Sequence, residues 1–207
     1  MAFFEFVIRL PFTEYSNKKN LLTQIYAEGS LLDAVRKTEL YEEDFYLIIS
    51  QLYDELIQDI IDVHIQDILP ENYAEHLLPL DGGLKIEINE QIIEPQCCSD
   101  INDYHNWQKI LYESFDSSKD WQPLCIGHPH IFYRFNGNNI ELSDYTDRYE
   151  VEFADDVKIK ICLDKVEFLQ ALEKALAELQ MFKQRVYQVI DNGDYQNKEN
   201  LKKCLID

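Results

Sequence analysis

At Asp81-Gly82-Gly83 the spacing of apolar residues changes period, and that change limits the chain to a mixed fold. Before it, Phe45, Ile49, Leu52, Leu56, Ile60 and Val63 recur at three- and four-residue steps. That spacing marks one buried face of an α-helix. Tyr53, Ile57, Ile61, Ile65 and Ile68 widen the face, and Pro70 ends the run. After the glycines, Leu84, Ile86 and Ile88 alternate with Lys85 and Glu87, which is strand patterning, and "QIIEP" offers a hairpin partner. The spacing predicts an α+β chain: N-terminal helices including one long acidic helix, then a mainly antiparallel sheet with a long C-terminal helix packed on it. At 207 residues it suits a single domain over 1–207, with a possible subdivision into a helical part, 1–80, and a sheet plus C-terminal helix, 84–193.

Local signals fill in the remainder. The first twelve residues read as a strand with Phe3 or Phe4 facing inward, and "NLLTQIYAEGS" and "LLDAVRKTEL" read as two short helices broken near Gly29-Ser30. "SDINDYHNWQKILYESF" reads as a helix with Ser99 or Asp100 at its N-cap. "HIFYRFNGNNIELSDY" is a hairpin turning at Asn136-Gly137. A second hairpin, turning at Ala154-Asp155-Asp156, would set Glu152 opposite Lys158 and Glu150 opposite Lys160. From Asp164 to about Ile190 a helix opens on an Asp164 cap with Glu167 three residues on. Its expected core stripe is Leu169, Leu172, Leu176, Leu179, Phe182, Val186 and Val189, and Asn192-Gly193 stops it. The tail beyond is expected to fray or to add one turn.

The charge is uneven. Nineteen Lys and Arg stand against 39 Asp and Glu, a net of −20. A chain of that sign lacks the clustered cations that hold nucleic acid or an anionic membrane. Between Thr38 and Leu84 there are twelve acids and no Lys or Arg. Like charges at helical neighbours such as Glu55 and Asp59 cost roughly 0.2–0.5 kcal/mol per pair in an isolated helix. The bland account is that acids keep an apolar chain soluble. The sharper one is a binding face for a basic protein, formed by Glu55, Asp59 and Asp62 with Asp54 and Asp44 at its edges. The acids lack the loop spacing of an EF-hand calcium site.

Cys97, Cys98, His105, Cys125, His128 and His130 cluster in two short segments. His128 and His130, two apart on a strand, would share a face as metal-binding imidazoles do, so Cys97, Cys98, His128 and His130 are candidate metal ligands. Cys125 falls on the opposite face and the spacing fits no standard zinc template. The plainer expectation is core cysteines and histidines rimming a strand end, with no metal and no cofactor. A thiol nucleophile with His105 or His128 and Asp100 can be drawn, but no protease, phosphate-loop or zinc-hydrolase signature accompanies it. A metal-dependent or thiol enzyme is therefore the runner-up to a non-enzymatic reading, and a non-catalytic regulatory scaffold is a third. Trp107 and Trp121 are expected to be packing anchors. Five cysteines, an odd number, read as reduced thiols, no run approaches the roughly 20 apolar residues of a membrane span, and the first residues lack a secretory pattern; a cytoplasmic protein is expected.

Three stretches carry two resemblances. "IIEPQCCSDINDYHNWQKIL" and "IGHPHIFYRFNGNNIELSDYT", through Pro95, Cys97, Cys98, Trp107, Gly127, His128, Pro129, Ser143 and Tyr145, resemble segments of small bacterial immunity partners of polymorphic toxins. "LPENYAEHLLPLDGG", through Leu69, Pro70, Tyr73, Leu77, Gly82 and Gly83, is similar to the SUKH immunity superfamily where Leu-Pro begins a helix that ends in a glycine pair. The resemblance implies an inhibitor that blocks a toxin, injected by a neighbouring cell, through stoichiometric binding. It assigns no catalytic residue.

Overall fold

The computed structural model describes residues 2–11, 35–37, 44–113, 120–147 and 157–206. Among them it is α+β, with nine strands and five α-helices. The chain divides into two compact units, one of residues 1–5 and 83–177, the other of residues 6–82 and 178–207. One break falls between Gly82 and Gly83. Gly82 has φ +149°, and a Cβ there would lie 2.1 Å from the carbonyl oxygen of Val7, so no other residue fits that approach.

In the unit of residues 6–82 and 178–207, strand β1 (Ala2–Pro11) pairs antiparallel with β3 (Asp44–Ile48), Val7 opposite Ile48 and Pro11 opposite Asp44. Strand β2 (Val35–Lys37) adds to the far side of β3. Residues 2–11 are thus the strand that the first twelve residues suggest, and the other described residues ahead of Ile49 are strands rather than the expected helices. The segment expected as a helix over "NLLTQIYAEGS" lies outside the described residues, and the described part of the next, Val35–Lys37, is extended. Phe45 also leaves the expected long helix. Tyr46, Leu47, Ile48 and Ile49 are all buried, and a short run buried on every side satisfies a strand as well as a helix, so spacing alone cannot separate the two. Helix α1 (Asp54–Ile65) starts only after the extended residues Leu52 and Tyr53 and buries Leu56, Ile57, Ile60, Ile61 and Val63. The short helix α2 (Tyr73–His76) follows a 3-10 turn at Pro70–Asn72. The tail does not fray: it forms helix α5 (Lys198–Ile206), with Leu201, Leu205 and Ile206 fully buried.

In the unit of residues 1–5 and 83–177, the start of β1 neighbours β4 (Gly82–Ile88), which returns through Asn89-Glu90 into β5 (Gln91–Ile93). Both turn residues have positive φ, 48° and 70°, as a two-residue hairpin turn of the mirror-image type demands. A second sheet runs in the order β6 (Gln122–Leu124), β7 (Ile131–Asn136), β8 (Asn139–Ser143), β9 (Ile159–Asp164), antiparallel throughout. The β7–β8 turn is Gly137-Asn138, one residue later than the sequence suggests, because Asn136 pairs with Asn139. Glu150 and Glu152, expected in the second hairpin, lie outside the described residues; Lys160 pairs with Asp144 at 3.6 Å. Asp100 caps a 3-10 turn that leads into α3 (Tyr104–Glu113), its Oδ1 accepting from the Asn102 amide at 2.7 Å. Trp107 and Trp121 are buried.

Helix α4 (Lys165–Asn192) is capped as its sequence predicts: Asp164 Oδ1 accepts from the amides of Val166 and Glu167. Its core stripe differs from the expected one. Phe168 and Ala175 are buried where Leu169 and Leu176 are only half-buried. Phe168 meets the edge of Phe4 from β1 at 5.1 Å, and Phe3 points to solvent; this contact lays the start of the long helix against a strand. No helix of the described residues is long and apolar enough to cross a membrane.

Candidate functional site

Four of the five acids expected to form a binding face, Asp54, Glu55, Asp59 and Asp62, sit on α1. Asp44 does not join them. It is the first residue of β3, opposite Pro11, and its side chain lies outside the described residues. The helix is shorter at its start than its apolar spacing implies, and that removes Asp44 from the edge.

The base-free interval is base-free only along the chain. Arg185 of α4, 131 residues on, donates from Nε and Nη2 to Asp54 Oδ1 at 3.0 and 2.7 Å. Arg9 reaches Asp81 at 3.2 Å. Asp62 is half-buried and its Oδ1 accepts from the Tyr195 hydroxyl at 2.8 Å. Burial, that bond to Asp62, and the negative charges of Asp62 and Asp59 together push the Tyr195 phenol well above its usual range. Asp54 and Asp62 are therefore partly spent on the fold. Glu55 is not. It is exposed and receives neither a hydrogen bond nor a cation from any described residue.

The same is true of three acids that the helix-centred reading passed over. Asp67, Glu71 and Glu75, in the segment that follows α1, are exposed and without a partner among the described residues. They belong to the same base-free interval, which was the signal available to find them. This segment is fastened at several points. His64 Nε2, in the last turn of α1, donates to the carbonyl of Leu78 at 2.8 Å, and Asn197 donates to that of Pro70 at 2.8 Å. The Leu80 amide donates to Leu205 O at 3.1 Å, and the Cys204 thiol to Tyr73 O at 3.4 Å.

The Cys and His residues come only partly together. Cys97 and His128 face each other in an isolated antiparallel bridge, His128 N donating to Cys97 O at 2.9 Å. The Cys97 and Cys98 sulfurs are 3.8 Å apart. The exposed His128 ring has Nε2 3.4 Å from Asp147 Oδ1. His130 is 3% exposed and meets the edge of Phe132. Among the described residues no group of three or more His, Cys, Asp and Glu is placed to hold a metal ion, so Cys97, Cys98, His128 and His130 do not form a tetrad. The expectation of core cysteines also fails: Cys98, Cys125 and Cys162 are exposed and Cys97 and Cys204 only half-buried. In place of a thiol partner, Asp100 serves as a cap. Nearby Asp103, raised above its usual carboxyl range chiefly by burial, accepts from the Ser99 hydroxyl at 2.7 Å. Compared with family models, with curated proteins and with solved structures, the chain matches none.

Proposed function

We propose that this chain is a cytoplasmic bacterial immunity protein that binds a cognate basic toxin domain and neutralises it by stoichiometric occlusion. The observation that carries this reading is the persistence of uncompensated charge after folding. Arg9 and Arg185 reach two acids of the base-free interval, yet Glu55, Asp67, Glu71 and Glu75 stay in water with no cation among the described residues. A one-sign surface of this kind speeds encounter with a cationic protein by roughly 10 to 10³ and rejects acidic competitors. The mechanism is steric and electrostatic. It needs no turnover and no cofactor.

The bet on individual side chains follows from their partners. Glu55 is free to face a ligand, with Asp59 and Asp62 beside it and Asp54 at the edge, although Asp62→Lys would also sever the bond to Tyr195. Glu55→Lys loses no hydrogen bond or ion pair to a described residue and isolates the charge. The test is co-expression with the C-terminal domain of the protein encoded immediately upstream. The expected result is restored growth and a 1:1 complex whose association slows with rising salt and with Glu55→Lys. Growth that stays arrested while both proteins are present and folded would overturn the reading.

A further inference from the structure

We infer that the loop between α1 and Leu80 is the centre of the contact, where Leu69 and Leu78 enter an apolar recess on a protein partner whose recess is rimmed by Lys and Arg. This deepens the proposed function and rests on it. Leu69 is 60% exposed and Leu78 72% exposed. Single exposed leucines are ordinary on a protein surface. These two are not scattered. The bond from His64 to Leu78 O brings the returning limb of the loop back to the last turn of α1, and Leu69 leaves that helix five residues after His64. Leu78 is therefore held at the C-terminal end of α1, and Leu69 follows that end by four residues.

That end is negative three times over. A helix C-terminus presents unpaired carbonyls and a partial negative charge, which ordinarily attracts Lys or Arg from its own chain. Here the following residues supply Asp67, Glu71 and Glu75 instead, none with a partner among the described residues. An apolar centre inside a charged rim is how protein interfaces are built, and the sign of the rim selects a cationic partner. It selects against a second copy of this chain, which would bring the same acids face to face. The loop is also held in place before binding. Tyr73 and Leu77 are buried beneath it, and Asn197, Cys204 and Leu205 fix its backbone. Little ordering is left to be lost on association.

Two fluorescent peptides of equal charge serve as probes, one with leucine and lysine at helical spacing, the other oligolysine. The leucine-lysine peptide should bind the intact chain at least about tenfold more tightly. Leu69→Ser/Leu78→Ser should abolish that margin while leaving the thermal midpoint unchanged, since both side chains are in solvent. Met181→Ser, changing an exposed residue on α4, should leave it intact. Equal binding of both peptides, or a margin that survives the double substitution, would overturn the inference. So would a wild-type dimer that the double substitution dissociates. The peptide titration judges this surface whatever the protection assay returns. If the wild type protects and the double variant protects equally, the contact lies elsewhere and the immunity reading stands.

Discussion

On the β7–β8 hairpin, Glu141 is 6% exposed; it accepts from Arg134 Nε at 2.6 Å and from Asn136 Nδ2 at 2.9 Å. Beyond α1, Glu71 stands in water and accepts from no described residue. At Glu141 a carboxylate is paired where folding strips its water, because an unpaired buried charge costs several kcal/mol. Where water remains, pairing gains little, typically about 0–1 kcal/mol. The acids of the α1 loop therefore gain nothing from a partner among the described residues, and solubility and a cationic ligand are the two accounts of their shared sign.

The largest effect should come from breaking the buried side of this contrast. Arg134→Ala leaves Glu141 desolvated with Asn136 alone and removes a guanidinium that lies 4.4 Å from the Trp121 ring. A loss of about 3–5 kcal/mol is expected in urea unfolding. A loss under about 1 kcal/mol would mean that Glu141 finds water after all, and the contrast would collapse.

Tyr195 and Asp62 stand between the extremes, half in and half out of water. Tyr195→Phe should cost about 1 kcal/mol at neutral pH, the usual worth of one hydrogen bond. The pH dependence has a definite sign. The folded phenol holds its proton more tightly than the unfolded one, so its contribution is whole below the unfolded value near pH ~10 and fades as pH rises from there. The wild type should lose stability faster than the Phe variant above that pH. Parallel profiles would show that the folded phenol holds its proton no more tightly than the unfolded one, so that neither burial nor Asp62 acts on it.

These contrasts were unequally legible in the sequence. The Asp164 cap and the β4–β5 and β7–β8 hairpins could be read because their chemistry is local: a side-chain oxygen two or three residues from the amides it accepts, or a turn a few residues long. The hidden part was whatever depended on distance along the chain. Arg185 and Asp54 are 131 residues apart, and no spacing rule connects them. The run from Asp44 to Ile48 was misread because each residue from Tyr46 to Ile49 is buried, which erases the alternation that marks a strand. The acid-rich interval was legible as a stretch of sequence, but which of its acids gain a described partner depends on Arg185 of α4 and on Tyr195.

The smallest expected change is the most informative about the exposed side. Replacing Glu55, Glu71 and Glu75 with Gln and Asp67 with Asn removes four charges that have no partner among the described residues. Each is solvated, so its removal uncovers no buried donor, and substitutions of this kind usually fall within about 0.5 kcal/mol of zero. Relief of repulsion among the acids that remain tips the balance towards a slight gain, larger at low salt than at high salt because screening already weakens that repulsion. Urea midpoints at two ionic strengths measure both effects. A loss beyond about 1 kcal/mol would show that the loop acids hold the fold through contacts to residues outside those described, and their freedom to face a cationic partner would go with it.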